Sequence, residues 1–172
     1  MPRKVWVSTI SSASANGPTV QANLAKACDL LELACMTKPD IVCLPEVFTS
    51  HGVPRDGVAA VAESVPGPIT EAIGAIARRH STYVICPLIE RREDRFYNSA
   101  AVLDRRGRIV GVYEKAHPVP QVEDELTPGS GPKPLDTDFG RIGVLICFDI
   151  NWPDAWATLK HMGAEVVFVV NP

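Results

Sequence analysis

The chain has 172 residues, a length that suits one domain with a sizeable core. At 46% hydrophobic and 22% charged residues it is neither disordered, collagen-like nor a coiled coil. Seventeen basic residues against 20 acidic ones give a net charge of −3, with no basic footprint for nucleic acid or an anionic membrane. No apolar run approaches the roughly 18 residues of a membrane span, and Met1 to Ile10 lacks the apolar segment of a secretory signal. These features lead to the expectation of a cytoplasmic protein with no nucleic-acid or membrane partner.

Lys4 to Ile10 alternates and reads as a strand after a charged tip. Asn16-Gly17-Pro18-Thr19 is a breaker cluster, and Thr19 or a neighbour can cap a helix beginning there. Val20, Leu24, Ala27, Leu31 and Ala34 recur at helical spacing, so residues 19–36 read as an amphipathic helix. Ile41-Val42-Cys43-Leu44 is a short strand buried on both faces. Ile69 to His80 reads as a helix and Tyr83 to Leu88 as a strand. Asn98–Leu103 and Arg108–Glu114 form a hairpin about Asp104-Arg105-Arg106-Gly107.

Residues 115–137 carry five prolines and two glycines and read as a long structured loop, a type more often functional than idle. Phe139 to Phe148 reads as a strand pair or one long strand, Pro153 to Met162 as a short helix, and Val166 to Val170 as a buried strand. Helices alternating with strands around a central hairpin mean an α/β fold with mixed sheets.

The five cysteines are odd in number, and none has the CxxC spacing of a metal or redox site. The four histidines form no HExxH, so no metal is expected. Gly129-Ser130-Gly131 is not followed by a helix and no phosphate loop occurs, which argues against a nucleotide-binding domain.

Ligands of open α/β sheets bind at the carboxyl ends of strands. Glu46, Lys115 and Cys147 each follow such an end. Singly, each has a bland reading: a solvated charge, or a core thiol. Together they make coherent chemistry. A thiol is a strong nucleophile once deprotonated, a carboxylate can take its proton, and an ammonium can stabilise an oxyanion. Backbone N–H groups from Phe148 onward can assist.

Three stretches carry a resemblance to the nitrilase, or carbon–nitrogen hydrolase, superfamily. They are Asp40-Ile41-Val42-Cys43-Leu44-Pro45-Glu46, Tyr113-Glu114-Lys115-Ala116-His117-Pro118, and Gly143 to Asp149 followed by Trp152-Pro153-Asp154. The resemblance implies an αββα sandwich and a Glu-Lys-Cys triad at Glu46, Lys115 and Cys147. It implies a second glutamate in Val122 to Gly129; spacing to Thr127-Pro128-Gly129 favours Glu123 over Glu125, against the plain reading of a solvated acidic loop. It places Phe148, Asp149, Asn151 and Trp152 at the oxyanion or substrate. Phe148-Asp149 after the nucleophile is similar to the amidase and carbamoylase branches rather than to true nitrilases.

The expected activity is cysteine-dependent hydrolysis of a small linear amide or N-carbamoyl compound through an acyl-thioester, with no cofactor. A nitrile hydrolase of the same family is one alternative; an inactive fragment serving as an interaction unit is another. Residues 1–172 read as one carbon–nitrogen hydrolase domain whose C-terminal portion is absent, because domains of the family continue past Val166–Val170. That strand is apolar on both faces, so an open sheet edge and self-association into a homo-oligomer are expected.

Overall fold

The computed structural model describes residues 4–11, 17–54 and 56–172. The charged tip before Lys4 and the breaker residue Asn16 lie outside these. The strands are β1 (Val7–Thr9), β2 (Ile41–Cys43), β3 (Tyr83–Arg92), β4 (Arg95–Leu103), β5 (Ile109–Glu114), β6 (Leu135–Thr137), β7 (Gly140–Ile146) and β8 (Val166–Val170). The helices are α1 (Val20–Cys35), α2 (Pro68–His80) and α3 (Pro153–His161). None is long and apolar enough to cross a membrane.

Two sheets form. One runs β1-β2-β3-β4-β5, with β1, β2 and β3 parallel and the β3–β4 and β4–β5 pairs antiparallel. The other runs β6-β7-β8, antiparallel then parallel. Because side chains alternate along a strand, each of β2, β3, β4 and β5 feeds two cores. Ile41, Cys43, Ile85, Ala100 and Val102 face the smaller sheet, meeting Ile142, Val144, Ile146 and Phe168. Val42, Leu44, Val84, Cys86, Ala101 and Leu103 face the other way, against Leu31 of α1 and Ile69, Ile73 and Ala77 of α2. Ala155 and Leu159 of α3 join the core at the smaller sheet, where Gly143 lets Leu159 approach closely. The layers are therefore helix, sheet, sheet, helix, the expected αββα arrangement.

Local chemistry sets the helix boundaries. Thr19 caps α1, its Oγ1 accepting from Ala22 N at 3.1 Å. The most buried stripe of α1 is Asn23, Ala27, Leu31 and Cys35, rotated from the purely apolar positions. Asn23 tolerates burial because its amide donates to Thr49 O and His51 O, fixing the segment after β2. Pro68 opens α2 and Arg78, Arg79 and His80 close it, as the helix dipole favours.

Three expectations are revised. β3 and β4 extend into a long hairpin through the charged run Ile89 to Tyr97 and turn at Glu93-Asp94. Ion pairing of Arg92 with Glu90 and Glu114 lets these charges sit in strands. The long loop ends earlier than expected, since Leu135–Thr137 is the strand that pairs with β7. β7 itself stops at Ile146, where Cys147–Asn151 turns into a 3-10 helix.

The β4–β5 turn packs on α2 through two glycines. A Cβ on Gly107, which has φ +73°, would lie 2.1 Å from Gly74 O. Gly131 is also left-handed, with φ +98°, but has open space around its Cβ position. Gly131→Ala is therefore expected to cost only left-handed strain, about 1–2 kcal/mol. Gly107→Ala adds a backbone clash and should lose more. Urea unfolding of the two variants checks this: the Gly107→Ala midpoint should be the lower.

Candidate active site

β5 runs parallel to β2, since two antiparallel pairings separate it from β3. Their carboxyl ends thus share one side of the larger sheet. Glu46 lies three residues after β2, and Lys115 immediately follows β5. Cys147 follows β7 in the smaller sheet. A backbone bond from Glu46 N to Asn171 O, 2.9 Å, ties the loop after β2 to the end of β8. The three side chains line one cavity of about 230 Å³, together with Glu123.

Lys115 is 2% exposed, and its ammonium donates to Glu46 Oε1 at 3.2 Å and Glu123 Oε2 at 2.8 Å. Burial pushes its pKa down, but the two carboxylates outweigh that and leave it above the ordinary lysine value. It therefore stays an ammonium and serves as a donor, not a base. With two of its three N–H bonds given to glutamates, one remains for a reacting oxygen.

Glu123 is held from three sides, by Lys115, by Val119 N at 2.7 Å and by Asn98 Nδ2 at 3.0 Å. Burial alone would raise its pKa; these donors reverse that and hold it below the usual carboxylate value. Glu125 sits elsewhere, accepting from Val58 N. Of the two glutamates, Glu123 is the one joined to Lys115.

Asn98 was not singled out by the sequence. It is 1% exposed, and its Nδ2 donates both to Glu46 Oε1 (2.7 Å) and to Glu123 Oε1. The amide orientation is firm, because the flipped form would set its oxygen against two carboxylates. Asparagine is depleted in strands, so a polar residue amid the apolar end of β4 was the available signal. With Oε1 held by Asn98 and Lys115, Glu46 also reaches Cys147, a hydrogen bond between the two side chains being one cause of the raised thiol pKa.

Cys147 has φ +45°, a left-handed conformation that a residue with a Cβ adopts only under local constraint. Burial raises its thiol pKa, the Glu46 charge raises it further, and Lys115 lowers it; the net effect is upward. The resting group is a protonated thiol, so Lys115 and Glu46 together do not preform a thiolate. Among the other cysteines, burial pushes Cys35 up to about 11 and Cys43 up to about 12.

The substrate contact expected of Asp149 is not what the geometry gives. Asp149 is fully buried, and both oxygens are taken by protein groups. Oδ2 accepts from Tyr113 OH at 2.7 Å and Ile146 N at 3.0 Å; Oδ1 accepts from His117 N at 3.0 Å and lies 2.9 Å from His117 Nδ1. Asn151 is exposed and turns back to Phe148 O. Trp152 stacks on His117, with Phe148 edge-on to it. None of Phe148, Asp149, Asn151 and Trp152 is among the residues lining the cavity. They build the turn that carries Cys147.

A family model described as carbon-nitrogen hydrolase matches residues 9–172. A nitrilase from Pyrococcus abyssi is 33% identical over 149 residues, covering 84% of this chain and 56% of the relative. An (R)-stereoselective amidase from Pseudomonas sp. is 29% identical over 165 residues, covering 96% and 59%. The chain thus spans somewhat over half the length of these relatives. An amidase from Nesterenkonia sp., solved in complex with butyramide, has the same fold. Its TM-score is 0.84 at 20% identity, covering 98% of this chain and 66% of that one.

The charge balance at Cys147 has a measurable sign. Glu46 raises the thiol pKa, so Glu46→Gln should shift the pH midpoint of Cys147 alkylation downward. Lys115 lowers it, so Lys115→Met should shift the midpoint upward. Iodoacetamide labelling followed by mass mapping across pH tests both; a midpoint that rises in Glu46→Gln contradicts this account.

Proposed function

The chain belongs to the carbon–nitrogen hydrolase family, and on that premise we propose that it is a cysteine-dependent hydrolase of a small linear amide or N-carbamoyl compound. One observation carries the reading. Cys147, the held ammonium of Lys115 and the buried carboxylate of Glu46 meet on one small cavity.

In the proposed reaction Glu46 takes the thiol proton as Cys147 Sγ attacks the substrate carbonyl carbon. The carbonyl oxygen becomes an oxyanion, met by the remaining N–H of Lys115 and by the backbone N–H of Phe148. The intermediate collapses, the C–N bond breaks, and the leaving nitrogen takes the proton from Glu46. An acyl-thioester remains on Cys147. Water then attacks it, with Glu46 accepting the water proton and returning it to the departing thiolate. The carboxylic acid leaves and the thiol is restored. Glu123 and Asn98 touch no reacting atom; they hold Lys115 and Glu46 in place.

Cys147→Ala, Glu46→Gln and Lys115→Met should each lower ammonia release from a small amide by on the order of 10³-fold or more. Because the three act on one transition state, a double variant should lose little beyond a single one. Circular dichroism checks that the fold persists. Substantial turnover by Glu46→Gln would remove the assigned base. Acid formed from a nitrile but not from the matching amide would move the reading to nitrile hydrolysis.

A further inference from the structure

Asn98 stands where Glu46, Glu123 and Lys115 meet, yet it is itself neutral. It lies in β4 opposite Ile89 of β3, and its carbonyl accepts from Lys115 N at 2.8 Å. The backbone thus fixes Asn98 against the lysine, and its side chain reaches both acids. Nδ2 donates to Glu46 Oε1 at 2.7 Å and to Glu123 Oε1 at 3.0 Å. Lys115 Nζ bonds the same two carboxylates. The result is a closed ring in which two donor nitrogens alternate with two carboxylates. It holds two acids and one cation, so it carries a net negative charge when both acids are ionised.

Two carboxylates set close together ordinarily share a proton, and one of them is then lost as a base. Here an oxygen of each acid touches the same amide nitrogen, so these oxygens are no more than two hydrogen-bond lengths apart. Lys115 offsets one negative charge. The other is met by neutral donors, Asn98 Nδ2 and the Val119 N–H. A hydrogen bond donated to the charged form of a carboxylate favours that form. Burial raises the Glu123 pKa, and Lys115, Val119 and Asn98 together outweigh it. Cys147 is the remaining titratable neighbour of the cluster. Glu90 and Glu114, next along β3 and β5, pair with Arg92 on the opposite face of the sheet, where Ser99 also meets Glu90.

We propose that Asn98 is a positioning residue that keeps Glu46 and Glu123 separately ionised, so that Glu46 remains available as the base. The catalytic consequence rests on the hydrolase reading above; the charge assignment does not. An amide suits the task because it offers two N–H bonds from one nitrogen and carries no charge of its own. An apolar side chain of similar size would take away a donor from both acids at once. The acids would then relieve their repulsion by holding a proton between them, and that proton would block Glu46 from receiving the one on Cys147.

The test is urea unfolding of the parent, Asn98→Leu and Asn98→Ala at about pH 7 and at about pH 4.3, near the ordinary glutamate pKa. Val102→Ala, an apolar truncation in the same strand, is the control. Loss of the donor raises the folded-state pKa of the acid pair, so between these pH values the folded variant holds more protons than the folded parent. Its stability relative to the parent therefore falls as pH rises. The midpoint lost by each Asn98 variant should be clearly larger at neutral pH than at acid pH, while Val102→Ala loses the same at both. An equal loss at both pH values for the Asn98 variants makes Asn98 a packing residue and overturns the proposal. If neither variant folds, carboxyl ¹³C shifts of the parent decide: two ionised acids in the ring at neutral pH support the proposal, and a shared proton overturns it. Where a small amide is turned over, the acid limb of kcat/KM should move up by about one pH unit or more in Asn98→Leu; an unmoved limb counts against Asn98 acting through Glu46. A parent that hydrolyses no amide removes the hydrolase reading, and the unfolding result still decides the charge assignment.

Discussion

A buried ammonium held between two carboxylates governs this structure. Removing a charge from water costs several kcal/mol, and a buried pair is tolerated only when its geometry and remaining hydrogen bonds are good. Lys115 meets that condition through Glu46 and Glu123, and Asn98 meets it for the carboxylates in turn. Three separated stretches must close around one point: the loop after β2, the end of β5 and the loop beyond it. Their backbones record the closure. Lys115 N donates to Asn98 O, and Gly129 N donates to Lys115 O, each at 2.8 Å. A Cβ on Gly129 would lie 2.2 Å from Glu114 O, so that crossing needs glycine. The length and proline content of the loop follow from this task.

Asp149 then sets the lysine and the nucleophile relative to each other. Its partners Tyr113 and His117 stand two residues before and two residues after Lys115. Its bond to Ile146 N grips the residue before Cys147. One fully buried carboxylate thus straddles Lys115 and clamps the strained turn. Burial and the Asp149 charge push the Tyr113 phenol far upward, so it remains a donor to that carboxylate. The stacking of Trp152 on His117 closes the same unit from the side of α3. A left-handed Cys147 costs on the order of 1–3 kcal/mol, and this clamp is what holds it there.

Much of the architecture was readable because the signals were local. The Ile41–Cys43 strand, the capped helix after Thr19, the Asp104–Gly107 turn and the Val166–Val170 strand follow from apolar runs and breakers. The strand-end placement of Glu46, Lys115 and Cys147 was readable for the same reason. What escaped was non-local. The run Ile89 to Tyr97 looks like a charged surface segment, yet Glu90 is 3% exposed because Arg92 on its own strand and Ser99 across the hairpin satisfy it. Asn98 and Asp149 are polar residues whose worth depends on partners far along the chain. The family resemblance placed Asp149 beside the substrate; burial and four hydrogen-bonding contacts place it behind the nucleophile. Only the packed sheets bring those partners together.

The charge pattern also fits the order of events in the proposed reaction. A nucleophilic cysteine is often activated in advance by a lowered pKa. Here burial and the neighbouring carboxylate hold the thiol up, while the lysine is largely committed to two glutamates. A preformed thiolate would add a third negative charge beside Glu46 and Glu123, which already share the one cation among the described residues lining the cavity. A resting thiol avoids that repulsion and also lowers exposure to oxidation, which tracks thiolate character. The proton then moves to Glu46 only as negative charge passes from sulfur to the carbonyl oxygen, where Lys115 can meet it. Glu46, whose charge and hydrogen bond hold the thiol up at rest, is the group placed to receive that proton. The N–H of Lys115 that neither glutamate takes meets full negative charge only as the oxyanion forms, so that interaction is stronger in the transition state than before it, which is the condition for catalysis.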